Sequence, residues 1–266
     1  LVPRPLEDHA MPIATEIGDD VLLKIISDFT REAGVRHLSR HLDTLSRKAA
    51  RRLAEGDSDL NEVFSLEGLD LRLGRSVGVQ KLEELAPETG LATGLATSGI
   101  GGEVMEVEAM LLEPLSKSPT LAMTGNLGDV LMESARAAYS FVRARFGGPV
   151  RDVHVHLPVG AINKDGPSAG LTIVMALASA TLAQPIDRGI AFTGEITLRG
   201  RVLPVGGIRD KLAAAVRAGA NRAIIPEGNR ADLADVPAEI LEKIEVTCVR
   251  TVDEALHQTF GVALLN

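Results

Sequence analysis

A serine in a glycine-rich turn is the first residue of this sequence that has the setting of a catalytic nucleophile. Ser168 follows Gly166 and Pro167, and the apolar run 168–183 predicts a helix that begins at the serine. The first turn of a helix carries backbone N–H groups without intrahelical partners and the positive end of the helix dipole. Both features stabilise an oxyanion. Serine is also a common helix N-cap, so the segment alone leaves both interpretations open.

A lysine on the apolar stripe of a second predicted helix supplies a candidate base for that serine. Lys211 lies in the helix predicted over 207–219, on the same stripe as Ile208, Leu212 and Ala215. Burial disfavours the charged form of an amine and lowers its pKa. A neutral amine can accept the proton of a serine hydroxyl, as in a Ser–Lys dyad. The alternative is that the lysine stem follows the apolar surface and places its amine in water.

A hydroxyl that lies between these two residues in the sequence can orient the amine. Thr193 precedes a tight turn and a hairpin that lead to Lys211, and a threonine hydroxyl can hydrogen-bond a lysine amine. Threonine is equally an ordinary strand residue. Asp165 and Glu195 bring carboxylates to the same segments, and we interpret them as structural or gating residues rather than as an acid–base pair.

Two histidines and a single cysteine are weaker candidates for chemistry. His154 and His156 lie on one face of a strand predicted over 151–157, a spacing that can bind a metal ion. No matching cluster of cysteine, histidine or acidic residues accompanies them in the sequence, so we predict no metal site. Cys248 lies in an apolar run, and we interpret it as a small core residue. A single cysteine allows no internal disulfide and fits a reducing compartment.

The composition narrows the classes of function. The 266 residues are 45% hydrophobic and carry a formal net charge of -8. This balance is typical of a globular protein with a sizeable core, and the negative charge argues against nucleic acid as the main partner. No run approaches the ~20 apolar residues that span a bilayer, and no signal peptide is recognisable, so we expect a cytoplasmic protein without a membrane partner. The chain does not begin with Met, which suggests a fragment or a processed product.

The hydrophobic patterns divide the chain into a helical part and a mixed part. We predict a small all-α subdomain at 1–66, an entry segment at 67–90 and a larger domain at 91–266. The alternation of strands and helices in the larger domain predicts an α+β fold with layered α/β packing. Its predicted strands are 103–112, 151–157, two within 190–204 that fold back at Arg199 and Gly200, 223–225 and 246–249. Its predicted helices are 130–145, 168–183, 207–219 and a last one that Thr251 and Glu254 open as a capping box.

Two long runs, 165–170 and 193–212, resemble the Lon protease family in residue type and in spacing. The resemblance continues in 124–130, which looks like the family's entry into its long protease-domain helix. One departure is Thr97, at a position where family members usually carry Trp. We identify the chain as a member of this family and interpret it as a C-terminal fragment that holds the small helical subdomain of an AAA+ module and a proteolytic domain.

The resemblance implies a role for each residue of the two motifs. Ser168 is expected to be the nucleophile, Lys211 the general base and Thr193 a supporting hydroxyl. Asp165 is expected to engage the lysine in an inactive arrangement, and the oxyanion hole is expected from backbone N–H groups around the serine. The other motif residues that we expect to support the site are Gly166, Pro167, Ala169 and Glu195.

The resemblance also covers the helical part and the expected partners. The run 29–36 is similar to the small helical subdomain of the Lon ATPase, and Arg36 falls where the family has its nucleotide-touching sensor-2 arginine. The sequence contains no Gly-x-x-x-x-Gly-Lys-Ser/Thr motif. We therefore expect no cofactor for this chain, with ATP and Mg only in a full-length form. The expected activity is ATP-independent cleavage of unfolded or damaged polypeptides by a homo-hexamer. The alternatives are a non-catalytic oligomerisation platform and a naturally motor-free Lon-like peptidase.

Overall fold

The computed structural model of the protein contains two compact units, Leu1–Val79 and Gln80–Asn266. The predicted entry segment 67–90 is divided between these units, and the predicted domain limits remain predictions. The residues that the structure describes are 2–12, 15–30, 32, 34–57, 60, 62–67, 69–74, 76, 82–99, 101–114, 119–147, 151–158 and 164–261.

The helical unit is built around one long amphipathic helix. Its described helices are α1 (Pro3–Asp8), α2 (Asp19–Phe29), α3 (Arg36–Ala54) and α4 (Leu69–Leu73). One apolar stripe of α3 is buried, and Leu42 and Leu45 are 0% exposed in a cluster that includes Ile25 of α2. Leu69 is buried in the same cluster, so part of the segment that the sequence assigned to an entry linker belongs to this core. The Glu32 carboxylate accepts hydrogen bonds from two backbone N–H groups of the first turn of α3, at 2.8 and 2.9 Å.

The second unit is an α+β domain, which confirms the predicted fold class. Its described strands are β1 (Leu91–Ser98), β2 (Gly101–Leu112), β3 (Leu121–Thr124), β4 (Asp152–His156), β5 (Ile190–Phe192), β6 (Glu195–Ile196), β7 (Val202–Leu203), β8 (Arg222–Pro226) and β9 (Glu245–Val249). Its described helices are α5 (Asp129–Phe146), α6 (Gly170–Leu182), α7 (Ile208–Arg217), α8 (Ala238–Leu241) and α9 (Val252–Phe260). Seven of these strands form one mixed sheet in the order β3-β4-β2-β1-β5-β8-β9, and β6 pairs with β7 in a separate hairpin.

Helices pack on both faces of this sheet. On one face, Val107 and Val155 belong to a core shared with α5, α6 and α9. On the other face, Leu95 and Ile225 pack in a second cluster with Leu212 of α7. Alternate residues of each strand point to opposite faces, so the short apolar strands contribute to both clusters. The helix that follows Ser168 and the helix that carries Lys211 therefore reach the sheet from opposite sides.

The region 190–204 differs from the prediction of two strands. β5 lies inside the main sheet, and the hairpin is formed by β6 and β7 instead. The physical reason is the backbone of Gly194, which leaves the sheet to pair with the serine-bearing segment. Its N–H donates to the carbonyl of Ser168 at 2.8 Å, and its carbonyl accepts from the N–H of Leu171 at 2.9 Å.

Candidate active site

The serine of the glycine-rich turn lies one turn before the helix that was predicted to begin with it. Residues Pro167–Ala169 form a 3-10 turn, and α6 begins at Gly170. Gly166 has a φ of 106°, a backbone conformation that favours glycine. Ser168 is half-buried and follows Pro167, so the turn presents its side chain at the N-terminal end of a helix whose first ten residues are all buried.

The predicted base is fully enclosed. Lys211 is 2% exposed, and its Nζ donates to the Oγ1 of Thr193 at 3.0 Å. Thr193 is itself 0% exposed, and its hydroxyl lies 3.4 Å from the backbone carbonyl of Ser168. Burial lowers the pKa of Lys211 from 10.5 to about 8. The amine thus contacts a hydroxyl rather than a carboxylate, and a large fraction of it is neutral in mildly alkaline solution.

Two glycines fix the start of α7 and so the position of the lysine. Gly207 precedes the helix with a φ of 74°, and a Cβ built on it would lie 2.5 Å from the Cγ2 of Thr97. At the start of β2, a Cβ built on Gly102 would lie 1.9 Å from the backbone carbonyl oxygen of Asp210. Backbone packs directly on backbone here, which leaves no room for a side chain between β2 and the residue before Lys211.

The Asp165 carboxylate bonds backbone N–H groups, and within the described residues no ion pair joins it to the lysine. Its Oδ1 accepts hydrogen bonds from the N–H of Leu131, at 3.0 Å, and from the N–H of Gly166, at 2.8 Å. Leu131 lies in the first turn of α5, so the carboxylate caps that helix and complements its dipole. A Cβ built on Gly128 would lie 2.3 Å from the Asp165 Cγ, so this cap requires a glycine there. The structure brings Asp165 to the α5 N-terminus and brings Thr193 to Lys211.

Ser168 and Lys211 line the same cleft, which has a volume of about 360 Å³. Glu195 and the three predicted neighbours of the serine also line it. The sequence reasoning missed most of the other wall residues, since their chemistry is ordinary and only the fold brings them together. The lining residues are Ala96, Thr97, Met105, Leu131, Asp165, Gly166, Pro167, Ser168, Ala169, Glu195, Pro204, Val205, Gly206 and Lys211.

A buried asparagine that the sequence analysis did not select holds one wall of this cleft. Asn229 is 4% exposed, and its side-chain amide makes both backbone hydrogen bonds of Val205. The Val205 N–H donates to its Oδ1 at 2.9 Å, and its Nδ2 donates to the Val205 carbonyl at 2.8 Å. The amide thus supplies, to the loop that leads into α7, the pair of hydrogen bonds that a neighbouring strand would otherwise provide. No motif spacing indicates this contact, because it joins residues from separate elements.

The remaining candidates lie outside the cleft lining. His154 and His156 both contact the Thr124 hydroxyl, at 2.9 and 2.7 Å. Among the residues that the structure describes, no group of three or more His, Cys, Asp or Glu side chains is arranged to hold a metal ion. Arg36 lies exposed in the first turn of α3. Positions 31 and 33 of the run that resembles the ATPase subdomain lie outside the described residues.

Among the helices that the structure describes, none combines the length and the apolar character needed to cross a bilayer.

Comparison with known families assigns both units of the chain. The model of the Lon protease C-terminal proteolytic domain, of the S16 class, matches residues 66–261. The model of the Lon protease AAA+ ATPase lid domain matches residues 10–62. The chain thus contains a Lon-type proteolytic domain that follows a lid domain in the sequence.

Curated relatives agree with this assignment. The chain is 42% identical to a Lon protease of Dictyoglomus thermophilum and 40% identical to one of Clostridioides difficile, with 97% of this chain covered in each case. It is 46% identical to Lon protease 1 of Sorangium cellulosum over 94% of its length. The chain spans about a third of the length of these relatives, at 33%, 34% and 31%. The protein belongs to the Lon protease family, which confirms the resemblance drawn from its motifs.

Proposed function

We propose that this chain is a serine endopeptidase in which Ser168 is the nucleophile and Lys211 the general base. The observation that supports this most strongly is the cleft shared by the two side chains, with the lysine amine enclosed and bonded to a neutral hydroxyl. A carboxylate beside the amine would favour its charged form. The bond to Thr193 instead leaves Nζ able to lose a proton and then to accept one from a serine.

The proposed reaction has two stages. In the first, neutral Lys211 takes the proton of the Ser168 hydroxyl as its Oγ attacks the scissile carbonyl, and the charged amine then protonates the departing amine of the peptide. An acyl-enzyme ester at Ser168 remains. In the second stage the neutral amine takes a proton from water, the resulting hydroxide attacks the ester, and the proton returns to Ser168. Thr193 orients Nζ throughout.

The oxyanion of each tetrahedral intermediate is assigned to the N-terminal end of the serine-bearing turn. Pro167 has no N–H, and the N–H groups of Ser168 and Ala169 are the first of the 3-10 turn that continues into α6. Early N–H groups of a helix have no intrahelical acceptor, and the helix dipole adds partial positive charge. The stabilisation is therefore provided by backbone that is fixed before the substrate binds.

The proposed substrates are unfolded or damaged polypeptides, and the proposed assembly is a homo-hexamer. The sequence has no phosphate-binding motif, so cleavage by this chain is proposed to proceed without ATP, Mg or another cofactor. The proposed location is the cytoplasm. The chain is proposed to be either a part of a longer Lon or a naturally motor-free peptidase. An enclosed amine in the cleft is unnecessary for a purely structural platform, which is why catalysis is the favoured interpretation.

Substitution of the dyad tests the proposal directly. Ser168→Ala and Lys211→Ala should each reduce the cleavage of casein by at least about a thousandfold, because each removes a group required for acyl-enzyme formation. Matched controls are Ser140→Ala and Lys243→Ala, whose side chains are exposed outside the cleft and should leave cleavage unchanged. Cleavage by either dyad variant at the rate of the unsubstituted protein would falsify the assignment.

The pH dependence of peptide cleavage gives an independent check. The base is active when neutral, so kcat/KM should rise with pH through a midpoint near 8, the pKa of Lys211. It should level off above that value. A rate that is flat between pH 6.5 and 9 would count against a lysine base. The stability of the protein without substrate should be measured over the same pH range, so that unfolding is not mistaken for a change in rate.

A serine-directed reagent separates the enzyme from a non-catalytic platform. A peptide boronate should form an adduct at Ser168 that mass spectrometry locates, and Lys211→Ala should weaken its formation. An assembled protein that forms no adduct would support the platform.

A further inference from the structure

We propose that Glu195 is a specificity-determining residue that favours substrates with a cationic side chain within two residues of the scissile bond. The inference rests on the proposed function and adds a substrate preference to it. It comes from the chemical character of the cleft walls, from the position of the strand that carries Glu195, and from the lack of a partner for its carboxylate.

The cleft has a mixed lining in which apolar side chains lie beside polar groups. Ala96, Met105, Leu131 and Val205 contribute hydrocarbon to the lining, and Glu195 contributes a carboxylate. A carboxylate beside such walls is only partly hydrated, and it interacts with an incoming charge more strongly than one in open water. The side chain of Glu195 is half-buried, so its hydration is intermediate between that of a buried and that of a fully exposed carboxylate.

The short strand β6 places Glu195 on the wall of the cleft. Ile196, the next residue, points into the core at 6% exposed. Neighbouring residues of a strand face opposite sides, and Glu195 lines the cleft together with Ser168. A bound peptide in extended conformation advances by about 3.4 Å per residue, so the carboxylate lies within reach of a side chain one or two residues from the reacting bond.

The Glu195 carboxylate is unused by the protein itself. In the described part of the chain, no ion pair or side-chain hydrogen bond joins it to another residue. Asp165, the other carboxylate of the cleft, is instead bonded to two backbone N–H groups. A half-buried carboxylate that lacks a partner is stabilised by any cation that enters the cleft. A lysine or arginine side chain of a bound polypeptide provides that cation.

The charge of Glu195 is also separate from the base. The pKa of Lys211 is lowered by burial alone, with no contribution from a carboxylate. A change at Glu195 should therefore alter which substrate is preferred without moving the midpoint of the pH profile. This distinguishes a specificity residue from one that positions or tunes the amine.

A charge scan of the substrate tests the inference. Fluorogenic peptides of one sequence would carry Lys, Gln or Glu at each of two positions on either side of the scissile bond. The unsubstituted protein should prefer Lys over Gln, and Gln over Glu, at one of these positions by about fivefold in kcat/KM, the range of a partly exposed ion pair. The preference should shrink as salt is raised, because ions screen the interaction.

Two variants and one control complete the experiment. Glu195→Gln should bring the Lys-to-Gln ratio at that position close to one, and Glu195→Lys should reverse the preference toward Glu. Glu103→Gln removes a carboxylate that bonds Ser98 outside the lining, and it should keep the preference. A flat scan in the unsubstituted protein, or a Lys-to-Gln ratio that survives Glu195→Gln, overturns the inference. The inference is also overturned if Glu195→Gln lowers kcat/KM for all peptides and leaves the Lys-to-Gln ratio unchanged.

Labelling of Ser168 by the peptide boronate separates this failure from failure of the proposed function. If the adduct forms and the charge preference is absent, the specificity assignment alone is wrong. If no adduct forms in the unsubstituted protein, the proposed peptidase and the inference fall together.

Discussion

The two units of the molecule differ in where they place charged side chains. In the described part of the helical unit no charged residue is buried, and several charged side chains pair with one another, as Arg51 does with Glu55 at 2.8 Å and Arg52 with Asp57 at 2.6 Å. In the α/β unit, Asp152, Arg188 and Lys211 are all buried.

The buried amine of the α/β unit is the exception that matters for function. Lys211 bonds a neutral hydroxyl, so no opposite charge compensates its charged form. An apolar side chain buried at this position would stabilise the folded state more than the lysine does. The surface pairs of the helical unit carry no such penalty and contribute little. The comparison shows that a candidate site can be located by a buried charged side chain that lowers the stability of the fold.

Replacement of Lys211 by methionine should produce the largest effects and would sharpen this comparison. Lys211→Met should reduce peptide cleavage by at least about a thousandfold and should raise the free energy of unfolding at pH 7 by up to about 3 kcal/mol, which is the cost implied by lowering the pKa from 10.5 to about 8. Activity assays and urea denaturation measure the two changes. A loss of activity with lower stability would contradict the uncompensated-charge interpretation.

The stability of the folded protein should also depend on pH through Lys211. Between pH 8 and 10.5 the unfolded chain keeps the proton on this lysine and the folded chain has released it, so stability from this group rises with pH in that window. The gap between Lys211→Met and the unsubstituted protein should be widest below pH 8 and should close toward pH 10.5. An equal gap at all pH values would point to packing instead.

Truncation of the core of the helical unit should give the next largest effect and should leave chemistry intact. Leu42 is 0% exposed on α3, and Leu42→Ala should lower the unfolding free energy of that unit by about 2–5 kcal/mol through lost burial and a residual cavity. Cleavage of short peptides should remain unchanged. Chemical denaturation and a peptide assay on the same sample measure both. Leu23→Ala, at a side chain that is 65% exposed, is the matched control and should leave stability unchanged.

Removal of a surface pair should give the smallest effect. Arg51→Ala breaks the pair with Glu55, in which the two side chains are 79% and 57% exposed. Exposed pairs on a helix contribute little, so the thermal midpoint should change little or not at all, and added salt should reduce any difference. A marked loss of stability would break the comparison by showing that the surface charges of the helical unit support its fold.

The sequence predicted features that depend on local pattern. The apolar side of the helix that carries Lys211 was predicted from the spacing of its residues, and it is buried. The serine-bearing helix was predicted in the right place, although a 3-10 turn precedes it because Gly166 and Pro167 bend the backbone. Strand β3 was not predicted, since four residues are too few to establish a pattern.

Features that depend on tertiary contact were not predictable. The carboxylate of Asp165 caps a helix that begins far earlier in the chain, and Asn229 bonds a loop from a separate element. Gly194 ends β5 early because its backbone pairs with the serine-bearing segment. In each case the residue type permits several partners, and only the folded arrangement selects one.

The close approach of Gly102 to Asp210 has a consequence for protein engineering. The lysine-bearing helix and the second residue of β2 are shaped to each other, with no space for a single methyl group between them. A designer who transfers the Ser–Lys arrangement to another scaffold must therefore transfer this strand start as well. Directed evolution that randomises position 102 should return glycine, even though that residue contributes no functional group.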